Sequence, residues 1–357
     1  MVENIESICK EFGIDAAISS YGNGHINGTY VTEGEVRYIL QRINTSVFNN
    51  VDHLMQNICG VTEHIKSKVI AEGGNPERET LTVVMTRSGK PYYKAEDGSY
   101  FRMYRFIDDA VSYDAIEDPV QLYHAARAFG KFQKMLADYP AHTLHETIAN
   151  FHNTVDRYRQ LHEAINNNLA GRLAEVEAEV EFALAREKEA SVVLDAIAEG
   201  TVPLRVTHND TKLNNVMLDE NTSEGVCVID LDTVMPGSLL YDFGDALRFA
   251  GSSGAEDETD LSKIWFNLEN YEQFTKGFAE ELRETLTERE AELLSFSVKL
   301  MTLECGTRFL ADYLNGDTYF KVHREKQNLD RCRTQFKLVA DIEEKLSQMN
   351  EINKKYL

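Results

Sequence analysis

Short alternations of apolar and polar residues fill the first part of the chain, and apolar residues recur every three or four positions through most of the rest. β-Branched and aromatic runs at Ala16–Tyr21, Gly28–Thr32 and Val36–Ile43 predict three strands, the last two joined by the turn Glu33-Gly34-Glu35 as a hairpin. Val51, Leu54, Ile58, Val61, Ile65 and Val69 then fall at helical spacing, which predicts a helix over 50–71 closed by Glu72-Gly73-Gly74-Asn75-Pro76. Two more strands are expected at Leu81–Met85 and Tyr100–Ile107.

The period lengthens after Asp108-Asp109. Asp118-Pro119 has the form of an N-cap followed by proline at the first helical position, and Leu122, Ala125, Phe129, Phe132 and Leu136 line one face behind it. Helical spacing continues to about Gly200, strands return at Val202–Val206 and Gly225–Ile229, and helices resume from about Leu240. The expectation is a bilobal α+β protein. A small β-rich N-terminal lobe over residues 1–107 ends in a connecting strand, and a larger, mostly helical C-terminal lobe covers 108–357.

Composition narrows the class. With 59 acidic against 37 basic residues the formal charge is −22, which repels polyanions and argues against nucleic acid or an anionic membrane surface as partner. Small nucleotides stay admissible, because local backbone N–H groups and metal ions hold them. The chain has no apolar run long enough to span a bilayer and no signal-like start, so a cytoplasmic location is expected. Cys9, Cys59, Cys227, Cys305 and Cys332 are scattered without a C-x-x-C pair, and are read as buried thiols instead of disulfides or zinc ligands.

The strongest chemical signal is Thr207-His208-Asn209-Asp210-Thr211-Lys212-Leu213-Asn214-Asn215, followed by Cys227-Val228-Ile229-Asp230-Leu231-Asp232. Phosphoryl transfer needs a carboxylate to orient the attacking hydroxyl and oxygen ligands for a divalent ion bridging the phosphates. The order H-x-D-x4-N, then Asp after a strand, supplies both. Asp210 takes the hydroxyl, Asn215 and Asp230 hold Mg²⁺, and His208 orients the loop. Asp232 either assists at a second metal or caps the turn before Met235-Pro236-Gly237. Upstream, Gly22, Asn23, Gly24, His25 and Asn27 lie between two strands, where a glycine loop folds over a triphosphate or makes an ordinary hairpin turn.

These motifs, together with Tyr38–Asn44, Met235–Ser238, Asp242-Phe243-Gly244-Asp245, Glu304-Cys305-Gly306 and Arg308–Leu314, give the chain an end-to-end resemblance to a known superfamily. It resembles the aminoglycoside phosphotransferases and choline kinases, and within them is similar to the N-acetylhexosamine 1-kinases. The resemblance implies a protein-kinase-like fold, with ATP and Mg²⁺ in the cleft between lobes. It also implies direct in-line transfer of the γ-phosphoryl group to the anomeric C1 hydroxyl of N-acetylglucosamine or N-acetylgalactosamine. By the same resemblance the backbones of Arg105 and Ile107 hold adenine, and Asp242 braces the catalytic loop. Arg308, Asp312 and Tyr319 become sugar contacts, although Arg308 and Asp312 stand i, i+4 and can instead pair with each other.

One position departs from the family pattern. The third strand usually brings a basic residue to the α- and β-phosphates, and here that position is Gln41. Arg42 next to it points to the opposite face by alternation unless a bulge intervenes. Two other readings therefore stay open: the same fold acting on choline, an aminoglycoside, a homoserine-like alcohol or another sugar, and a nucleotide-binding pseudokinase.

Overall fold

Residues 5–22, 28–113 and 118–357 are described by the structure, a computed structural model. Helix α1 (Ile5–Glu11) precedes a sheet of β1 (Ile18–Ser20), β2 (Gly28–Thr32), β3 (Tyr38–Ile43), β4 (Val83–Val84), β5 (Tyr93–Lys94) and β6 (Tyr100–Arg105). The strand order is β1-β2-β3-β6-β4, with β5 also on β6, and the pairs are antiparallel. Helices α2 (Val51–Ala71) and α3 (Pro76–Glu79) are inserted between β3 and β4. The expected turn at 33–35 joins β2 to β3, and Asn50 caps α2 by accepting the His53 amide at 3.1 Å.

The inserted α2 buries the periodic residues read from the sequence, Val51 through Val69. They form a core with Ile43, Tyr104 and the apolar face of the helix that follows the sheet. The other face of the sheet, with Leu40, Phe101 and Met103, packs against Ile8 and Phe12 at the start of the chain. Alternation along β3 and β6 thus sends Leu40 one way and Gln41 the other.

Beyond the sheet come β7 (Ala110–Val111), α4 (Pro119–Met135), α5 (Thr154–Asn167), α6 (Glu177–Leu184) and α7 (Val192–Ala198). The chain continues with β8 (Arg205–Thr207), β9 (Val216–Asp219), β10 (Gly225–Val228) and β11 (Met235–Gly237), then α8 (Leu239–Ala250), α9 (Leu268–Leu282), α10 (Glu288–Asn315) and α11 (Gln327–Tyr356). Asp118 caps α4 in a full capping box with Gln121, with Pro119 in the first turn. The stretch between α4 and Gly200 is less helical than its period suggests. It breaks into three short helices and turns, because its apolar residues dock piecemeal on α10 and α11.

The architecture is the expected one, a β-sheet N-terminal region and a larger helical C-terminal part. All five cysteines are free; four are buried, and Cys59 is only partly so, which corrects its reading as a buried thiol. Among the described residues no helix is long and apolar enough to cross a membrane.

Candidate active site

The catalytic stretch lies between β8 and β9, and its shape is imposed by buried side chains around it. Strand β8 pairs with β11 in register Thr207↔Met235, and the Thr207 hydroxyl donates to the Met235 carbonyl at 3.0 Å. The chain then turns at Asn209, whose φ of 65° is left-handed, a conformation asparagine tolerates better than most residues. Three neighbours fix this turn. Asp242, in the first turn of α8, accepts the amides of His208 at 2.9 Å and Asn209 at 2.7 Å, and the Gln133 side chain at 2.5 Å. The Asn209 side chain donates to the Thr233 carbonyl at 2.8 Å, and the Thr233 hydroxyl to the His208 carbonyl at 2.7 Å. From the far side, His152 bridges the Asn209 carbonyl at 3.2 Å and Glu304 at 2.9 Å, and Glu304 also accepts the Thr154 hydroxyl at 2.6 Å.

Burial raises the pKa of Asp242, and the bonds from His208, Asn209 and Gln133 only partly offset it. Burial would raise Glu304 too, but there the hydrogen bond and charge of His152 win and hold it below the usual range. Helix α8 can bring Asp242 this close because Gly244 faces α10. A Cβ at that position would lie 2.5 Å from the Ser297 carbonyl oxygen. This accounts for the glycine of the Asp242-Phe243-Gly244-Asp245 motif.

His208 is buried and faces inward, its ring edge-on to Phe129 and Phe132. Its Nε2 lies 2.8 Å from the Ile229 carbonyl, an acceptor, so Nε2 carries the proton and Nδ1 receives the Asp210 amide at 3.3 Å. The expected orienting role matches this geometry. Ile229 in turn donates its amide to the Asn215 carbonyl at 2.9 Å, which anchors the segment carrying Asp230 to the catalytic loop.

Asp210, Asn215 and Asp230 are brought together. The Asn215 amide donates to the Asp210 carbonyl at 2.8 Å and to its carboxylate at 3.2 Å, so its own carbonyl oxygen faces away from Asp210. Asp230 adopts a left-handed φ of 57°, and the residue is exposed. The protein walls around it, then the carboxylates of Asp232 and Asp210, push its pKa up to about 6 despite that exposure. An amide oxygen and an exposed carboxylate in a field of carboxylates suit a hard divalent cation that shares its shell with phosphate and water. Among the described residues no three His, Cys, Asp or Glu side chains form a metal cluster.

A carboxyl titrating near 6 is a poor ligand below that pH. A divalent cation held by Asp230 would bind about tenfold more weakly per unit below pH 6. An affinity that stays flat from pH 7 to 5 in titration calorimetry would contradict it. The sign for stability is opposite. With its native pKa raised above the unfolded value, Asp230 favours the metal-free fold more as pH falls from about 6 toward about 4.

Asp232 is placed differently from Asp230. It is buried in the turn after Asp230 and ion-paired with the fully buried Arg102 of β6. Burial works against the charged form of Arg102, but the Asp232 carboxylate outweighs this and raises its pKa. Gln41 lies directly opposite Arg102 across the β3–β6 ladder, and its Oε1 accepts from Arg102 Nε at 3.0 Å and Nη2 at 2.9 Å. Arg42 stays on the outer face, exposed and bonded to the Ser99 hydroxyl at 2.6 Å, and the β3–β6 register runs unbroken past it. No bulge turns it inward.

Of the glycine segment, Gly22 is described, with φ of 67°, and Asn23, Gly24, His25 and Asn27 lie outside the described residues. The Arg105 amide is bonded to the Thr82 carbonyl at 3.0 Å, so this residue can offer adenine only its carbonyl. Ile107 follows just beyond the strand and is buried.

On the helical side, Arg308 and Asp312 do not pair as i, i+4 partners. The Arg308 guanidinium sits among the rings of Phe320 at 5.3 Å, Tyr319 at 5.8 Å and Phe151 at 5.9 Å. Asp312 is buried and accepts the amides of Thr318, Tyr319 and Phe320 at 2.9, 2.8 and 3.0 Å, with the Asn328 side chain at 2.9 Å. It therefore holds the loop that carries Tyr319, and its oxygens are committed to protein donors. Tyr319 itself is exposed.

Two groups at the site escaped the sequence reading. Lys212 lies 2.9 Å from the Asp210 carboxylate, putting a cation beside it, and a lysine two positions after the loop aspartate was signal enough to find it. The His152–Glu304 bridge had no such signal, because its members are 152 positions apart in sequence.

An antiparallel sheet followed by a larger helical part, with Asp210, Asn215 and Asp230 gathered at one loop and the turn after β10, is the arrangement of a kinase-like phosphotransferase. The chain belongs to the phosphotransferase enzyme family, whose pattern it matches over residues 18–274. Several solved structures share its fold. An aminoglycoside phosphotransferase from Alicyclobacillus acidocaldarius aligns with TM-score 0.63 at 12% identity, covering 99% of this chain and 98% of that one. A microcompartment-associated aminopropanol kinase gives 0.57 at 16%, with 97% of each chain covered. A choline kinase from Cryptosporidium parvum gives 0.54 at 13%, with 99% and 94% covered.

Proposed function

We propose that this protein transfers the γ-phosphoryl group of ATP to the anomeric C1 hydroxyl of an N-acetylhexosamine, giving the sugar 1-phosphate. The observation that carries the phosphotransfer is the convergence of Asp210, Asn215 and the exposed Asp230 on a loop clamped by Asp242. In this reading Asp210 aligns the acceptor hydroxyl and receives its proton. Asn215 and Asp230 hold Mg²⁺, which when bound screens the charge of the phosphates. Lys212 leaves Asp210 for the transferring group as negative charge builds there. The cleft between the lobes, with the boundary near Asp108, receives the nucleotide. Gly22 to Asn27 cover its phosphates, and Arg105 and Ile107 border its adenine.

The acceptor assignment rests on charge. Beside Arg308 lies Arg157, whose Nε is buried without a hydrogen-bond partner and whose pKa is lowered by burial and then by the Arg308 charge. Phe151, under Arg308, adjoins His152 of the catalytic-loop bridge, so this cluster borders the place of transfer. Two guanidiniums repel an ammonium group, which disfavours choline, amino alcohols and aminoglycosides. They suit a neutral acceptor rich in hydroxyl and acetamido oxygens, with Tyr319 on its face. An acceptor panel tests this by ADP release. N-acetylglucosamine or N-acetylgalactosamine is expected to stimulate release at least tenfold over choline. Release only with a cationic alcohol would overturn the acceptor, and release with none would leave a nucleotide-binding pseudokinase.

A further inference from the structure

Gln41 stands where a strand cation would be expected to meet phosphate, yet a cation is present behind it. Arg102 is fully buried, opposite Gln41 in the β3–β6 ladder, and reaches two partners at once. Its Nε and Nη2 donate to Gln41 Oε1 at 3.0 and 2.9 Å, and its Nη1 to the Asp232 carboxylate. Arginine has only donors, so Gln41 must present its oxygen to Arg102 and its NH₂ to the other side. There Gln41 Nε2 stands 3.5 Å from the hydroxyl of Thr29, on the strand that leaves the glycine segment. The donor end of this amide is thus turned toward β2, away from the guanidinium behind it. Through Asp232, the same guanidinium ties the sheet to the turn that follows Asp230.

We propose that Arg102 is a positioning residue for the nucleotide phosphates, acting through Gln41, whose N–H it directs at them, and through Asp232, which it uses to hold the Asp230 turn against the sheet. The cation of the third strand has moved one strand over and works through a neutral donor. The inference rests on the phosphotransferase reading of the site.

Removing either partner alone strands the other's buried charge, so both are replaced together in the pair Arg102→Gln/Asp232→Asn. Mg·ADP affinity is read by titration calorimetry, KM for ATP and kcat by ADP release, and folding by thermal melting. The double variant is expected to melt near the wild type, to bind Mg·ADP about tenfold or more weakly and to raise KM for ATP in parallel, with a smaller change in kcat. Adding Gln41→Lys returns a cation to β3 and is expected to recover most of the affinity. A double variant that binds as wild type overturns the proposal. So does a triple variant that recovers nothing. If the wild type binds no Mg·ADP, the phosphotransferase reading fails with it.

Discussion

Asp210→Ala is expected to lower turnover by about a thousandfold while nucleotide affinity stays within a few-fold of wild type. The reason is a division of labour within the site. In the proposed reaction the phosphates and their metal fall to Asn215, Asp230 and the sheet, whereas the acceptor hydroxyl meets Asp210 alone. The variant should also fold. The Asp210 side chain is 26% exposed, and Lys212, 41% exposed, can turn to water when its partner is gone. Asn215 keeps its 2.8 Å bond to the residue's backbone carbonyl, so the loop retains its closure. Single-turnover kinetics beside calorimetry separate the two quantities. Wild-type turnover in a folded Asp210→Ala would remove this residue from its role.

Asp242→Ala is expected to act on the fold first, by on the order of 3–5 kcal/mol. Asp242 is 2% exposed and is the acceptor for two loop amides and the Gln133 side chain. Alanine leaves those donors buried with no partner, and the empty volume admits no ready substitute acceptor. The raised pKa of Asp242 tempers the loss, since burying its charge was itself unfavourable. Denaturant unfolding measures the cost. Surviving protein should show kcat reduced more than KM for ATP, because the loop that aims Asp210 has lost its clamp. An unfolding midpoint equal to wild type would show that the three bonds contribute nothing.

Parts of this site were legible because they are local. The spacing of Asp210, Asn215 and Asp230 is a property of one loop and one turn, and Ile229 bonding to Asn215 is the short-range consequence of strands that follow directly. The α2 face and the Asp118 cap were readable for the same reason, since a period and a cap depend on residues a few positions apart. Asp312 shows the limit. As a residue four after Arg308 it looked like a sugar contact or an ion-pair partner, but the chain beyond Gly316 folds back and places three amides on its carboxylate. That return is set by where α11 packs, through Asn328.

Sequence alone was enough to specify a strand-rich start and a helix-rich remainder, the α2 face, the cap of α4 and the absence of a cation at position 41. Only the folded chain decided that Arg102 stands behind Gln41, that His152 and Glu304 buttress the loop, and that Arg157 joins Arg308. Helical and strand periods are written in neighbouring residues, whereas the partner of a buried charge is whichever distant side chain the packing of the lobes delivers to it, and desolvation makes that pairing obligatory.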